Sequence, residues 1–243
     1  MNLHQQISPH QYEKDVLAVY NHAYAMKYES IYLVGCRRKH EMNIAYIRRL
    51  FHQMPAGKKR WLDTCCGQAW HFSQFPNPEI EKVGVDISEA QLQLAEKRCP
   101  EATFIQHDVL SIDFPEESFD LVTNFWGAYC YLNSYERIGR LLTNAAQWTK
   151  PGGALYFEVI LPDDIEGFNA TEFARSSGFH VGKRNKDYSK WFYRDMGGVH
   201  LMTSPPLEFF LDMLSPYFQA IRTEHDSVFM THLIAYGKKT KKI

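Results

Sequence analysis

Residues 61–70 read WLDTCCGQAW, and the rest of the chain organises around this turn. An apolar pair, Trp61-Leu62, leads to an acid, Asp63, and then to small residues around one glycine, Gly67. An apolar run that ends in an acid and a glycine turn is how a strand leaves a sheet into a ligand loop. KRWLDT (59–64) is therefore expected as a first strand, with a helix starting at 70–75.

Downstream, EKVGVDI (81–87), ATFIQHD (102–108), SFDLVTNFW (118–126) and ALYFEVIL (154–161) have the apolar, β-branched and aromatic content of further strands. SEAQLQLAEKRC (88–99) is an amphipathic helix with Ser88 placed to cap it. SYERIGRLLTNAAQWTK (134–150) is another, stopped by Pro151-Gly152-Gly153. Strands alternating with helices imply parallel βαβ units in an α/β, Rossmann-like doubly wound sheet.

Upstream, residues 10–52 read as helical. Tyr12, Tyr20, Tyr24, Tyr28 and Tyr32 are spaced to line one face, and a second helix at 38–53 ends before Pro55 and Gly57. After residue 161 the alternation breaks. KWFYRDMGGVHLMT (190–203) predicts a hairpin around Gly197-Gly198, and LEFFLDMLSPYF (207–218) a helix entered through Pro205-Pro206. Strands at 218–224 and 228–237 are joined by so short a link that they should pair antiparallel. The expected organisation is a helical lid (1–54), a sheet core (55–161), a capping insertion (162–217) and terminal strands completing the core (218–243). Long insertions on α/β sheets often carry function.

Composition narrows the classes. The chain has 243 residues, 45% of them apolar, and a net charge of −1, so nothing biases it globally toward nucleic acid or an anionic membrane. The basic tail KKTKKI reads as solvated. No apolar run approaches the ~20 residues that span a bilayer, and the polar N-terminus lacks a signal-peptide core, which makes the cytoplasm the default expectation. The five cysteines (36, 65, 66, 99 and 130) form no CxxC pair and read as small, reduced residues; no ligand cluster suggests a metal.

Four features fall at expected carboxyl ends of strands, where open α/β sheets bind ligands: Asp63 with the 65–69 turn, Asp86, His107-Asp108, and Asn124 to Tyr131. An acid at a strand end is commonly a helix cap or a turn former; all four features in order are harder to explain so. WLDTCCGQAW, VGVDIS, QHDVLSIDFPEESFDLV and KPGGALYFEV together resemble the class I S-adenosylmethionine-dependent methyltransferases over roughly residues 55–160. The family's first motif carries three alternate glycines, where this chain has Cys65, Gly67 and Ala69. The resemblance implies a seven-stranded sheet with an antiparallel last strand and S-adenosyl-L-methionine as cofactor. It also implies that Asp86 takes the ribose hydroxyls, Asp108 and Val109 the adenine edge, and that Ile87 packs on the adenine or ribose. Asp63, Cys65, Gly67 and Ala69 form the loop, with Asn124 and Tyr24 near the cofactor.

Trp126, Tyr129 and Tyr131 then fall where the reactive methyl lies, and aromatic faces suit a sulfonium. Tyr28, Trp191 and Tyr193 complete the expected substrate pocket, with Phe192, Phe209 and Phe210 adding to an apolar roof. In-line displacement needs alignment above all, and a base only where the nucleophile sheds a proton. His200 is the first candidate base, and Asp195 or His180 the second. The expected activity is methyl transfer to a hydroxyl or carboxyl oxygen, or to nitrogen or carbon, of a small molecule, natural-product metabolism being one setting, by a monomer or homodimer without nucleic acid or membrane. The alternatives are a nucleic-acid or protein methyltransferase, although Asn124-Phe125-Trp126-Gly127 lacks prolines, a nicotinamide dehydrogenase, although GxGxxG is missing, and a non-catalytic cofactor binder.

Overall fold

A computed structural model describes residues 9–29, 37–195, 197–227 and 229–240. Tyr32 and Cys36 lie outside them, as does the side chain of Tyr12.

The first strands are those expected: β1 Lys59–Thr64, β2 Ile80–Asp86, β3 Thr103–Gln106 and β4 Phe119–Asn124. The fifth differs. The helix before it stops at Trp148, and β5 runs Thr149–Val159, taking Pro151-Gly152-Gly153 into the strand past an irregular register with β4. Proline is tolerated there because no ladder donor is needed at a bulge. The last strands, β9 Phe218–His225 and β10 Thr231–Lys238, follow an insertion that holds β6 His180–Lys183, β7 Lys190–Asp195 and β8 Gly198–Thr203. The main sheet has seven strands in the order β3-β2-β1-β4-β5-β10-β9. β1 to β5 pair in parallel, and β10 runs antiparallel to both β5 and β9. This is the Rossmann-like architecture expected.

Parallel strands covered on both faces must be apolar on both. Trp61 faces one core with Phe72, Leu121 and Tyr156, under Ile44, Ile47 and Leu50 of an upstream helix, α3 Arg37–Gln53. Its neighbour Leu62 faces the other core with Val83, Val122, Leu155 and Phe157, under Ile138, Leu141 and Leu142 of α6 Tyr135–Trp148. Between them in the chain lie α4 Trp70–Ser73 and α5 Glu89–Arg98, whose cap is Ser88 accepting from Gln91 N–H. Strand order reverses at β1, so the ends of β1 and β4 splay the loops that follow them and open a crevice.

Two N-terminal helices, α1 Pro9–Val19 and α2 His22–Tyr28, lie over this crevice. The insertion supplies α7 Pro162–Phe168, α8 Glu172–Ser177, the antiparallel sheet β6-β7-β8 and α9 Leu207–Leu214. α1 and a 3-10 turn at Ala128–Leu132 both pack on β8. No described helix is long and apolar enough to cross a membrane.

Candidate active site

The loop after β1 has an unusual backbone. Cys65, Gly67 and Ala69 all adopt left-handed conformations, with φ of 69°, 52° and 55°. Glycine reaches that region without strain, whereas a side chain there costs about 1–2 kcal/mol. The three positions are those where the resembling family carries glycine. A Cβ added at Gly67 would meet nothing within 4 Å, so the backbone there borders open space. The helix expected to follow is a single turn, entered through left-handed Ala69 with no side-chain cap.

Asp86 closes this loop. Its carboxylate accepts the Gly67 N–H at 2.8 Å and the Ser88 N–H at 2.9 Å, one on each oxygen. Each oxygen keeps a further lone pair for a vicinal diol. Asp63 is buried; its Oδ1 accepts the Thr123 hydroxyl at 3.0 Å. Asp108 organises its own turn, accepting Leu110 N–H at 2.9 Å, and still faces the cavity beside Val109. Burial pushes the carboxyls of Asp63 and Asp86 above the usual range. The Cys65 thiol is pushed up by burial first and by Asp86, Asp63 and Asp108 after it, so it stays protonated. Three acids thus share one pocket, and the described residues lining it include no lysine or arginine. Such a floor fits a cationic ligand with a diol, an amino group and a sulfonium.

Asp63, Cys65, Gly67, Asp86, Ile87, Asp108, Val109, Tyr28, Trp126, Trp191 and Tyr193 all line the one cavity. Other expected contacts take other places. Asn124 is buried away from it, donating to Thr64 O and accepting Tyr129 N–H, because it stitches the ends of β1 and β4. Ala69 faces the core on the far side of the sheet. The Tyr129 hydroxyl is spent on the Ile160 backbone. Phe209 and Phe210 pack with Tyr135 and Tyr129 at the α6–α9 contact, not in the roof. Phe192 packs beside the ring of His180, an exposed residue of β6. The roof comes instead from Phe168, Phe179, Val181, Met202, Phe229 and Met230, apolar residues whose sequence context carries no motif. Gln68, Trp70, His71, Gln91 and Phe125 also line the cavity, and only proximity to the first loop and β4 hinted at them.

His200 is fully buried behind the wall. Its Nδ1 meets the Tyr131 hydroxyl at 2.6 Å and its Nε2 meets Asp195 Oδ1 at 2.9 Å, while the Tyr193 ring stacks on it at 3.9 Å. Tyr24 is likewise behind the wall, donating its hydroxyl to Asp195 Oδ2 at 2.5 Å. The first two candidate bases are therefore partners, and the hydroxyl bonded to His200 belongs to Tyr131, a residue of the cavity wall.

Residues 62–153 match the methyltransferase domain family. The matched stretch runs from β1 into β5. Among curated proteins, the chain is similar to a phthiotriol/phenolphthiotriol dimycocerosates methyltransferase of Mycobacterium leprae, 30% identical over 56% of this chain and 52% of that one. It is equally similar to a dTDP-3-amino-3,4,6-trideoxy-alpha-D-glucopyranose N,N-dimethyltransferase of Streptomyces venezuelae, 30% identical over 40% of each chain. The chain spans about half the length or less of these curated relatives. Among solved structures, an amino pentose methyltransferase from Micromonospora echinaspora with S-adenosylmethionine bound superposes with a TM-score of 0.60 at 19% identity, over 81% of this chain and 90% of that one. A Pyrococcus horikoshii protein superposes at 0.65 with 16% identity, over 88% and 99%. The chain thus shares its fold with that S-adenosylmethionine-bound enzyme, as the strand-end motifs implied.

Proposed function

We propose that the protein transfers a methyl group from S-adenosyl-L-methionine to a small-molecule acceptor held between the methyltransferase domain and the insertion. The observation that carries the reading is Asp86, at the end of β2, bonded to the left-handed Gly67 backbone and facing the cavity with Asp63 and Asp108. Asp86 would hold the ribose hydroxyls, Asp108 and Val109 the adenine, and Asp63 the side of the amino group. When bound, the cofactor supplies an electrophilic methyl on a positively charged sulfur. The chain's part is to align the acceptor under Trp126, Trp191 and Tyr193, exclude water with the apolar roof and receive any proton released. Relatives named as phthiotriol/phenolphthiotriol dimycocerosates and dTDP-amino-sugar methyltransferases support a small-molecule acceptor; the setting proposed is the cytoplasm.

Calorimetric titration with S-adenosylmethionine and S-adenosylhomocysteine tests this. The wild type should bind both, and Asp86→Ala should weaken binding by about a hundredfold or more, as expected when two charged hydrogen bonds are lost. Failure of the wild type to bind either ligand rejects the reading, and unchanged affinity in a folded Asp86→Ala rejects the ribose role.

A further inference from the structure

The hydrogen bonds behind the cavity wall have a direction. Asp195 is anchored by three donors: Gly197 N–H at 2.7 Å, the Tyr24 hydroxyl at 2.5 Å and the His200 ring at 2.9 Å. A carboxylate only accepts, so His200 Nε2 carries its proton toward Asp195. In the neutral imidazole this leaves Nδ1 bare, and the Tyr131 hydroxyl must donate to it. With its proton committed inward, the Tyr131 oxygen serves as acceptor for the Tyr193 hydroxyl at 2.8 Å and the Tyr20 hydroxyl at 3.1 Å. Every proton in the set therefore points away from the cavity. Tyr20, Tyr131 and Tyr193 all line that cavity; with both Tyr131 lone pairs filled, the wall offers the cavity the lone pairs of Tyr20 and Tyr193 and not protons.

The rest of the acceptor end is apolar: Ile160, Phe168, Phe179, Trp191, Met202 and Met230. Without lysine or arginine among the described lining residues, and with three acids on the floor, a phosphate or carboxylate would be repelled and left unpaired. We infer that the acceptor is an uncharged, largely apolar molecule that presents an O–H to the Tyr20–Tyr131–Tyr193 cluster, whose polarity is set by the buried His200–Asp195 pair. The inference rests on the methyl-transfer reading of the site.

The protons balance on this arrangement. As the acceptor oxygen forms its new bond to the methyl carbon of a sulfonium donor, the S–C pair stays on sulfur and the O–H proton leaves for a tyrosine oxygen. That tyrosine's own proton moves inward, and the last one arrives on His200 Nδ1. A neutral alcohol becomes a neutral ether, and the positive charge lost by sulfur reappears on an imidazolium beside Asp195. The tyrosines touch the acceptor, whereas His200 and Asp195 are positioning residues acting through Tyr131.

The test uses three probes of one shape, titrated into the full-length protein saturated with S-adenosylhomocysteine: 1-naphthol, 1-methoxynaphthalene and 1-naphthyl phosphate. Naphthol should bind about tenfold or more tighter than the ether, which cannot donate, and than the charged ester, the size of effect one buried hydrogen bond gives. In Tyr131→Phe the preference for naphthol over the ether should disappear. In Asp195→Asn the carboxamide can turn the imidazole over, so that Nδ1–H donates to Tyr131 and a tyrosine proton faces the cavity. The naphthol-to-ether ratio should then fall to about one, with S-adenosylhomocysteine affinity unchanged. A purely structural Asp195 would leave the ratio alone. Naphthol binding that is absent, or no tighter than that of the ether or the phosphate, overturns the inference while leaving the cofactor reading intact. Absence of S-adenosylhomocysteine binding removes the cofactor reading, and this inference with it.

Discussion

Tyr24 donates its hydroxyl to Asp195 across 171 residues of sequence, joining α2 to the tip of the β7–β8 hairpin at 2.5 Å. Both ends of this bond flank Gly197: Asp195 accepts its N–H, and a Cβ added there would fall 2.4 Å from Tyr24 Cε2. The tyrosine ring occupies the space a side chain at 197 would need. Tyr24→Phe should lower unfolding stability by about 1.5–3 kcal/mol, as for a hydrogen bond to a charged group. Gly197→Ala should cost a similar amount by displacing the same ring, and the double variant should add little to either single one. Urea unfolding checks this; additive losses would show that the two residues act independently.

The left-handed loop gives a second expectation. Cys65 has φ of 69° and is half-buried at the cavity edge. Cys65→Gly relieves strain but loosens the unfolded chain and forfeits sulfur packing, so the stability change should stay within about 1 kcal/mol. Cys65→Val should lose about 2 kcal/mol or more, because a β-branched residue fits that region poorly. Thermal unfolding of the pair decides it, and a harmless valine would mean that the loop does not need its left-handed turn.

The buried acids predict a pH dependence with a definite sign. Asp63 and Asp86 titrate above the ordinary carboxylate range because burial disfavours their charged forms. From about pH 4, where unfolded aspartate titrates, up to the raised folded pKa values, the folded protein holds more protons than the unfolded one. The ligand-free protein should therefore lose stability as pH rises through that window and level off above it. Asp63→Asn keeps the Thr123 bond through its carbonyl, and should flatten the profile and raise neutral-pH stability by roughly 1 kcal/mol while weakening S-adenosylmethionine binding. Melting temperature against pH, with and without the cofactor, reads both effects. A stability that climbs with pH over the same range would contradict the burial of these charges.

These residues also mark what the sequence carried and what it did not. Asp63, Asp86 and Asp108 were legible because each closes an apolar strand run, and parallel strand order alone puts such ends together. The interchange of glycine for Cys65 and Ala69 was legible as a departure, but its left-handed backbone was not, since composition gives no φ. His200 and Asp195 could be named as polar residues on a hairpin, yet their partner Tyr131 comes from the turn after β4, and pairing across 69 residues depends on how the insertion folds back. Pro151-Gly152-Gly153 misled because a breaker triplet reads as a loop, while an irregular strand edge accommodates it. The roof was missed for want of chemistry: Phe179 or Met202 looks the same in a core and over a ligand.

A last expectation concerns the far wall, where Trp126 follows β4 in a left-handed conformation. Its N–H is accepted by Glu158 at 2.8 Å, and Glu158 is fully buried in β5. The charge is met by Lys39 of α3, which also stands 4.8 Å from the Trp126 ring centroid and 3.7 Å from Asp226. His232 lies 3.8 Å from the same carboxylate. One buried acid thus fixes a cavity-wall backbone, with α3 supplying the cation that pairs with it. Removing that cation should be severe: Lys39→Met takes it from both Glu158 and Asp226, and should cost roughly 3 kcal/mol. Glu158→Gln alone should cost less, because the carbonyl can still accept Trp126 N–H. Lys39→Met combined with Glu158→Gln should recover part of the loss, since no uncompensated Glu158 charge then remains. Guanidinium unfolding of the four proteins measures the cycle. A double variant as unstable as the sum of its singles would show that Lys39 holds α3 by packing alone and not by neutralising Glu158.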